Sequence, residues 1–181
     1  MRSKVGILFA TAMVLPIGLS AAPADAVGGT VCKTASGTAT FAPALPPVSS
    51  AVKNKPTVTI KNGKLGGCVG GAVTSATLTA TLKFGNASNC KSLLAGAATG
   101  TKGTEKLAWN NKQTSTVALT LTGVPKKPTQ TKATGTVTLG LFKGSKQSGT
   151  LSYSIPTGGC ASKPLSTVTF KVLPATKITI K

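Results

Sequence analysis

The chain contains no histidine, and its 181 residues include only two acidic side chains, Asp25 and Glu105. General acid–base catalysis near neutral pH usually relies on histidine or on carboxylates tuned by their surroundings. Glycoside hydrolysis normally uses two carboxylates, and calcium and transition-metal sites need several carboxylate, imidazole or thiolate ligands. We therefore expect no catalytic residue, no metal site and no cofactor.

One short nucleophile motif is present, because residues 50–53 read Ser-Ala-Val-Lys and match the S-x-x-K pattern of penicillin-recognising enzymes. The S-D-N and K-T-G elements that accompany this pattern in those enzymes are absent, and prolines flank the segment. We interpret the match as chance.

The first residues have the features of a secretory signal peptide. Arg2 and Lys4 form a charged start, residues 5–19 are mostly apolar, and residues 24–26 (Ala-Asp-Ala) fit the small-residue cleavage pattern. A retained transmembrane anchor is the alternative, but the apolar stretch is shorter than the roughly 20 residues that span a bilayer. We predict a signal peptide over residues 1–26, one domain over residues 27–181, and a secreted or cell-wall-associated protein without a transmembrane segment after cleavage near Ala26.

Cleavage leaves nineteen basic residues, all of them lysine, and one acidic residue, for a formal charge of +18. Such a charge attracts polyanions. Nucleic-acid readers usually use arginine for bidentate contacts and aromatic side chains for stacking, and both are scarce here. We therefore predict loose association with anionic cell-wall polymers or lipid head groups and no specific nucleic acid. A solubilising surface without a partner is the alternative.

We expect the lysines to spread over the surface instead of gathering in one cleft. If residues 133–142 form one strand, Lys126 and Lys127 precede it while Lys143 and Lys146 follow it. These two groups then lie at opposite ends of the domain. The candidate electrostatic surface comprises Lys53, Lys55, Lys61, Lys64, Lys126, Lys127, Lys132, Lys143 and Lys146.

Four cysteines in an exported chain predict two disulfides. Cys32, Cys68, Cys90 and Cys160 allow three pairings, and a zinc site is disfavoured by the absence of C-x-x-C spacing and of histidine. Cys32 and Cys68 both lie in the N-terminal part, while Cys90 and Cys160 both border loops. We therefore favour the pairs Cys32–Cys68 and Cys90–Cys160.

Alternation of apolar and polar residues with period two dominates the chain. In "ATLTATLKF" (76–84), Ala, Leu and Phe occupy one face while Thr and Lys occupy the other. The same rhythm recurs in "TVTLGL" (136–141), "TLSYSI" (150–155) and "TVTFKV" (167–172). This pattern is typical of half-buried antiparallel strands. About eight or nine short strands with frequent turns predict an all-β, immunoglobulin-like antiparallel sandwich.

Local signals predict hairpins and one helical turn, and "FKGSKQSG" (142–149) favours one of the tight reversals. Asn62-Gly63 is a cue for a type I′ turn and predicts a hairpin at that point. A three-residue loop at 111–113 predicts a second hairpin, in which Glu105 pairs with Leu119. Only "SNCKSLLAG" (88–96) has the pattern of a helical turn.

Glu105 and Trp109 stand on the core-facing side of the same predicted strand. A lone buried carboxylate is costly, so we expect Glu105 to reach the rim or to meet a lysine, in a structural ion pair. We interpret Trp109 as core filling, not as a sugar-binding platform, because aromatic side chains dominate core burial.

Several segments resemble those of a known group of proteins. They are "CKTASGTATF" (32–41), "GKLGGC" (63–68) and "GTEKLAWNN" (103–111) leading into "TSTVAL" (114–119). Together with the signal peptide, they resemble small exported immunoglobulin-like β-sandwich proteins of actinobacteria, whose function is mostly unassigned. The resemblance implies an envelope-associated or released protein and transfers no catalytic residue.

We therefore expect a non-catalytic, secreted or cell-envelope-associated β-sandwich protein that binds anionic envelope polymers through a diffuse lysine-rich surface. A cationic secreted effector, either an enzyme inhibitor or an antimicrobial protein, is the alternative. A hydrolase is the third interpretation.

Overall fold

The computed structural model describes residues 28–95, 100–173 and 175–181, so the predicted signal peptide over residues 1–26 lies outside the described residues. The described part contains nine strands and one short helix. In chain order they are β1 (Thr30–Leu45), β2 (Thr57–Val69), β3 (Ser75–Lys83), α1 (Cys90–Leu94), β4 (Thr101–Trp109), β5 (Thr114–Val124), β6 (Lys127–Gly140), β7 (Lys146–Ser154), β8 (Leu165–Val172) and β9 (Ile178–Ile180).

Strand β1 closes the sheet because it pairs along both of its edges. Its residue Thr40 stands opposite Thr59 of β2 on one side and Thr167 of β8 on the other. From β2 to β8, each strand pairs antiparallel with the next strand along the chain. The result is an eight-stranded barrel in which the last strand returns to the first.

Strands β8 and β9 share the position between β7 and β1. In β8, Lys171 pairs with Ser36 of β1, whereas in β9 Ile180 pairs with Thr30 of the same strand. Ile180 also stands opposite Gln147 of β7. The short strand β9 therefore completes the barrel wall where β8 has ended.

The all-β antiparallel class, the number of strands and the two disulfides are confirmed, but the architecture differs from the predicted sandwich. An immunoglobulin-like sandwich needs connections that carry the chain between two separate sheets. Here each connection from β1 to β8 joins strands that are paired neighbours in one continuous sheet. Register shifts between Ser36 and Thr38 and between Ile60 and Gly63 mark bulges in the long strands β1 and β2, and bulges bend a strand and help a sheet to close.

The predicted hairpin at Asn62-Gly63 is wrong, because both residues lie within β2. Ile60 pairs with Ala80 of β3, and on the far side of the bulge Gly63 pairs with Leu78 of the same strand. Asn62 has a φ of 56°, a left-handed conformation that asparagine tolerates better than most residues. The same sequence cue therefore produces a bulge here, because neighbouring strands hold β2 on both sides.

The barrel interior is filled by the apolar faces that the alternation predicted. Large buried side chains such as Leu78 and Leu82 alternate with the small Ala76 and Ala80 along β3. Small and large residues commonly alternate in this way to fit the taper of a barrel. Gly37 makes room for the ring of Phe170 in the same way, because a Cβ atom at residue 37 would lie 2.8 Å from that ring.

The two disulfides have the favoured pairing, Cys32–Cys68 and Cys90–Cys160. The first joins directly opposed residues of β1 and β2. The second fastens the first residue of α1 to the connection between β7 and β8. Helix α1 confirms the predicted helical turn, and the side chain of Asn89 caps it by accepting a hydrogen bond from Ser92 N.

We predict that the double substitution Cys90→Ala and Cys160→Ala lowers the free energy of unfolding by about 4 kcal/mol, because the disulfide closes a long loop in the unfolded chain. The two cysteines are 70 residues apart, and both are buried, so alanine retains an apolar side chain at each site. Differential scanning calorimetry measures the change. A melting temperature equal to that of the wild type would contradict the prediction.

Candidate functional site

Threonine and lysine are prominent on the outer wall of the barrel. Along β3 and β4 the exposed positions alternate with the buried ones, as the period-two pattern predicts. All nineteen lysines from Lys33 to Lys181 are exposed. We call these nineteen side chains the lysine shell.

The nine lysines predicted from the sequence do not gather into one patch. Four lie at the end of the barrel that carries α1, in its loops or at a strand start: Lys53, Lys55, Lys126 and Lys127. Three lie within strands on the outer wall: Lys61, Lys64 and Lys132. Two lie at the opposite end: Lys143 and Lys146. The structure therefore distributes these residues over both ends and the wall.

Sequence reasoning missed a close approach of two lysines that the strand register creates. Lys83 of β3 stands directly opposite Lys102 of β4, and both are exposed. Directly opposed Cβ atoms lie about 5 Å apart, and like charges there are destabilising. The pairing of residues 76–83 with residues 102–109 would have revealed this pair, but a long connection with α1 separates the two strands.

Glu105 lies inside the barrel and is 2 % exposed. Gln147 donates a hydrogen bond from Nε2 to Oε2 of Glu105 at 2.6 Å. Strands β4 and β7 are separated in the sheet by β5 and β6, so this bond crosses the interior. The hydrogen-bond partner of Glu105 is therefore the carboxamide of Gln147. The prediction that Glu105 reaches the rim or meets a lysine is wrong. A lysine on an outward-facing position of the wall cannot reach an inward-facing side chain.

Burial raises the pKa of the Glu105 carboxyl from 4.5 to about 7, and the hydrogen bond from Gln147 opposes part of that rise. Desolvation disfavours the charged form of a carboxyl group. The acid is therefore held near the midpoint of its titration at neutral pH.

Gln147 is the functional partner that sequence reasoning did not find. Its side chain is 4 % exposed, and its Oε1 atom is buried without a hydrogen-bond partner among the described residues. The period-two pattern of β7 places Gln147 on the same face as Leu151, which was the available signal. We call Glu105 and Gln147 the polar pair.

Two small cavities lie next to each other inside the barrel. One, of about 30 Å³, is lined by the polar pair together with apolar side chains. The other, of about 90 Å³, is lined mainly by aliphatic and aromatic side chains near α1, including Leu93 of that helix. Both cavities share four wall residues: Ile60, Leu121, Leu151 and Phe170.

Trp109 is buried at 3 % exposure, as expected for a core side chain. Its Nε1 donates to Oγ of Ser115 at 2.8 Å, and its ring meets Phe142 edge-on with centroids 5.4 Å apart. Tryptophan usually finds a partner for its N–H when buried. The ring therefore packs inside the barrel at the last residue of β4, near the end opposite α1.

The hairpin between β4 and β5 has the predicted three-residue loop, but the loop begins one residue earlier. Lys112 N donates to Trp109 O, and Lys112 has a φ of 67°, the left-handed conformation typical of such a loop. Glu105 therefore pairs with Val117 and not with Leu119. A shift of two residues keeps the same face inward, so the core-facing position of Glu105 is retained.

In the described part of the chain, no helix has the length and hydropathy needed to cross a membrane. The same residues contain no group of three or more histidine, cysteine or acidic side chains placed to hold a metal ion. No family model matches the chain, and neither a curated protein nor a solved structure matches it. The resemblance to exported actinobacterial proteins therefore stays a prediction.

We predict that the free energy of unfolding falls by about 3 kcal/mol as the pH rises from 4.5 to above 7, because the folded state holds the Glu105 proton after the unfolded state has released it. Below pH 4.5 the Glu105 carboxyl is protonated in both the folded and the unfolded state, so the free energy of unfolding has its full value there. The full sequence has no histidine and only one glutamate, so few other groups titrate in this range. Chemical denaturation at a series of pH values measures the slope.

Glu105→Gln provides the matched test, because the amide is nearly the same size and stays neutral. We expect this variant to lose the slope and to exceed the wild type in stability at pH 8. Lys106→Gln changes the adjacent, exposed residue of the same strand and should keep the slope. A Glu105→Gln protein with the wild-type pH dependence would show that Glu105 is not the titrating group.

Proposed function

We propose that this protein is a non-catalytic, secreted or cell-envelope-associated barrel that binds anionic envelope polymers through its lysine shell. One observation carries the proposal. All nineteen lysines of the described residues point outward, while Glu105, the one acidic side chain among them, is enclosed. No described acidic side chain on the outside therefore offsets these charges, and a positive field extends around the barrel.

The placement of the lysines favours a flexible polymer as the partner. Lysines lie on the wall and at both ends, whereas a flat bilayer can touch only one side of a barrel. A polymer chain can follow the surface and meet charges on several sides. Lipid head groups are therefore the second interpretation of the same charge.

The chemistry of the shell favours loose binding. Lysine is a compact point charge on a flexible stem and does not make the planar bidentate contacts of arginine. The described residues contain no arginine. Interactions between exposed charges are screened within about 8–10 Å at physiological ionic strength, so binding should depend strongly on salt.

We predict that the protein binds poly(glycerol phosphate) at low salt and that the logarithm of the affinity falls linearly with the logarithm of salt concentration between about 50 and 200 mM. Release of condensed counterions from a linear polyanion causes this dependence. Isothermal titration calorimetry with the polymer, and with vesicles of phosphatidylglycerol for comparison, measures both affinities.

Two matched double variants distinguish a diffuse shell from a local site. Lys83→Gln with Lys102→Gln removes the opposed pair, and Lys143→Gln with Lys146→Gln removes two charges at the far end. A diffuse shell predicts that each double variant lowers the salt slope by at most about 2 and weakens binding similarly. Loss of binding with one variant and no change with the other, or an affinity that ignores salt, would overturn the proposal.

A further inference from the structure

The polar pair has more acceptor than donor groups. Above the pKa of Glu105 the carboxylate offers only acceptors, and its hydrogen bond from Gln147 leaves Oε1 of Gln147 buried without a donor. A buried polar atom without a partner costs free energy, and most such atoms in folded proteins have one. Gln147 lines the cavity of about 30 Å³, which is large enough for one small polar group.

The neighbouring cavity of about 90 Å³ offers an apolar environment to the rest of a ligand. We call it the apolar chamber; its wall includes Phe41, Val58, Phe84 and Val168. Tyr153 also lines it, and its hydroxyl lies within hydrogen-bond distance of the backbone carbonyls of Pro128 and Leu93. Among the buried side-chain oxygens and nitrogens of the described residues, Oε1 of Gln147 is the one without a hydrogen-bond partner.

Charge restricts the ligand to a neutral molecule. An anion would meet the Glu105 carboxylate and an acceptor oxygen, with no described cation inside the barrel. A cation would have to pass the lysine shell, whose field repels it. A neutral group with one hydrogen to donate satisfies Gln147 without either penalty.

Size restricts the ligand further. The two cavities together provide about 120 Å³, and an engineered apolar cavity of about 150 Å³ binds benzene. A molecule of about six non-hydrogen atoms, or the end of a longer one, therefore fits. An eight-stranded barrel has an interior just wide enough for side chains or for one small ligand.

We propose that the barrel binds a small neutral aliphatic alcohol, whose hydroxyl donates to Oε1 of Gln147 and whose carbon chain occupies the apolar chamber. This site uses none of the lysines on which the envelope interaction rests. Either proposal can fail without the other.

The probe is n-pentanol, added at pH 8 to the mature protein labelled at methyl groups and at glutamine side chains. We expect saturable shifts of the Gln147 side-chain amide and of the methyl groups of Ile60, Leu121 and Leu151. Pentylammonium should bind at least tenfold more weakly. Pentane, which lacks a donor, should bind about 2- to 10-fold more weakly, as expected for the loss of one neutral hydrogen bond.

Two variants test the two halves of the site. Glu105→Gln supplies an amide donor beside Gln147 and should weaken n-pentanol binding about 2- to 10-fold while the protein stays folded. Ala39→Leu adds three carbons to the wall of the apolar chamber and should abolish binding. Ala118→Leu places the same side chain on the exposed outer face of β5 and should leave the affinity unchanged.

Four results would overturn the proposal. The first is an ordered water at Gln147 with no saturable shift from n-pentanol. The second is equal affinity for pentane, which would remove the role of the hydroxyl, and the third is tighter binding of pentylammonium. The fourth is retained binding in a folded Ala39→Leu protein, verified by its melting temperature, which would place the alcohol elsewhere.

Discussion

Strand β1 determines the architecture because its sixteen residues use both edges. One edge pairs with β2, while the other pairs with β8 and then with β9. Closure removes the exposed strand edges that antiparallel sheets otherwise have to protect. It also separates two environments, because successive side chains of a strand point to opposite faces. Every residue of the wall is therefore either inside or outside the barrel.

This separation determines which charged side chains are exposed and which are buried. Lysine side chains occupy outward positions and remain exposed, whereas Glu105 occupies an inward position and is enclosed with Gln147. The carboxyl consequently has a raised pKa and no lysine to neutralise it. The same inside–outside division underlies both proposals, since the lysine shell faces polymers and the polar pair faces the cavity.

The strands, the disulfide pairs and the inward position of Glu105 could be predicted because each depends on local alternation or on a few cysteines. Closure of the barrel could not be predicted, because the pairing of β1 with β8 joins residues that are far apart in sequence, such as Ser36 and Lys171. The hairpin predicted at Asn62-Gly63 was wrong for the same reason. Its turn signal is local, but the strands on both sides of β2 hold these residues in a bulge. Gln147 was visible as an inward polar residue of its strand, yet nothing local indicated that it meets Glu105 across the interior.

The most direct test of this division between inside and outside is the titration of the Glu105 carboxyl itself. The chain contains a single glutamate, so glutamate labelled with ¹³C at the carboxyl carbon gives one resonance that can be followed by NMR from pH 4 to pH 9. An enclosed carboxyl predicts a midpoint near 7. A midpoint near 4.5, the value of an ordinary exposed glutamate, would contradict the enclosure of the acid and with it the barrel interior described above.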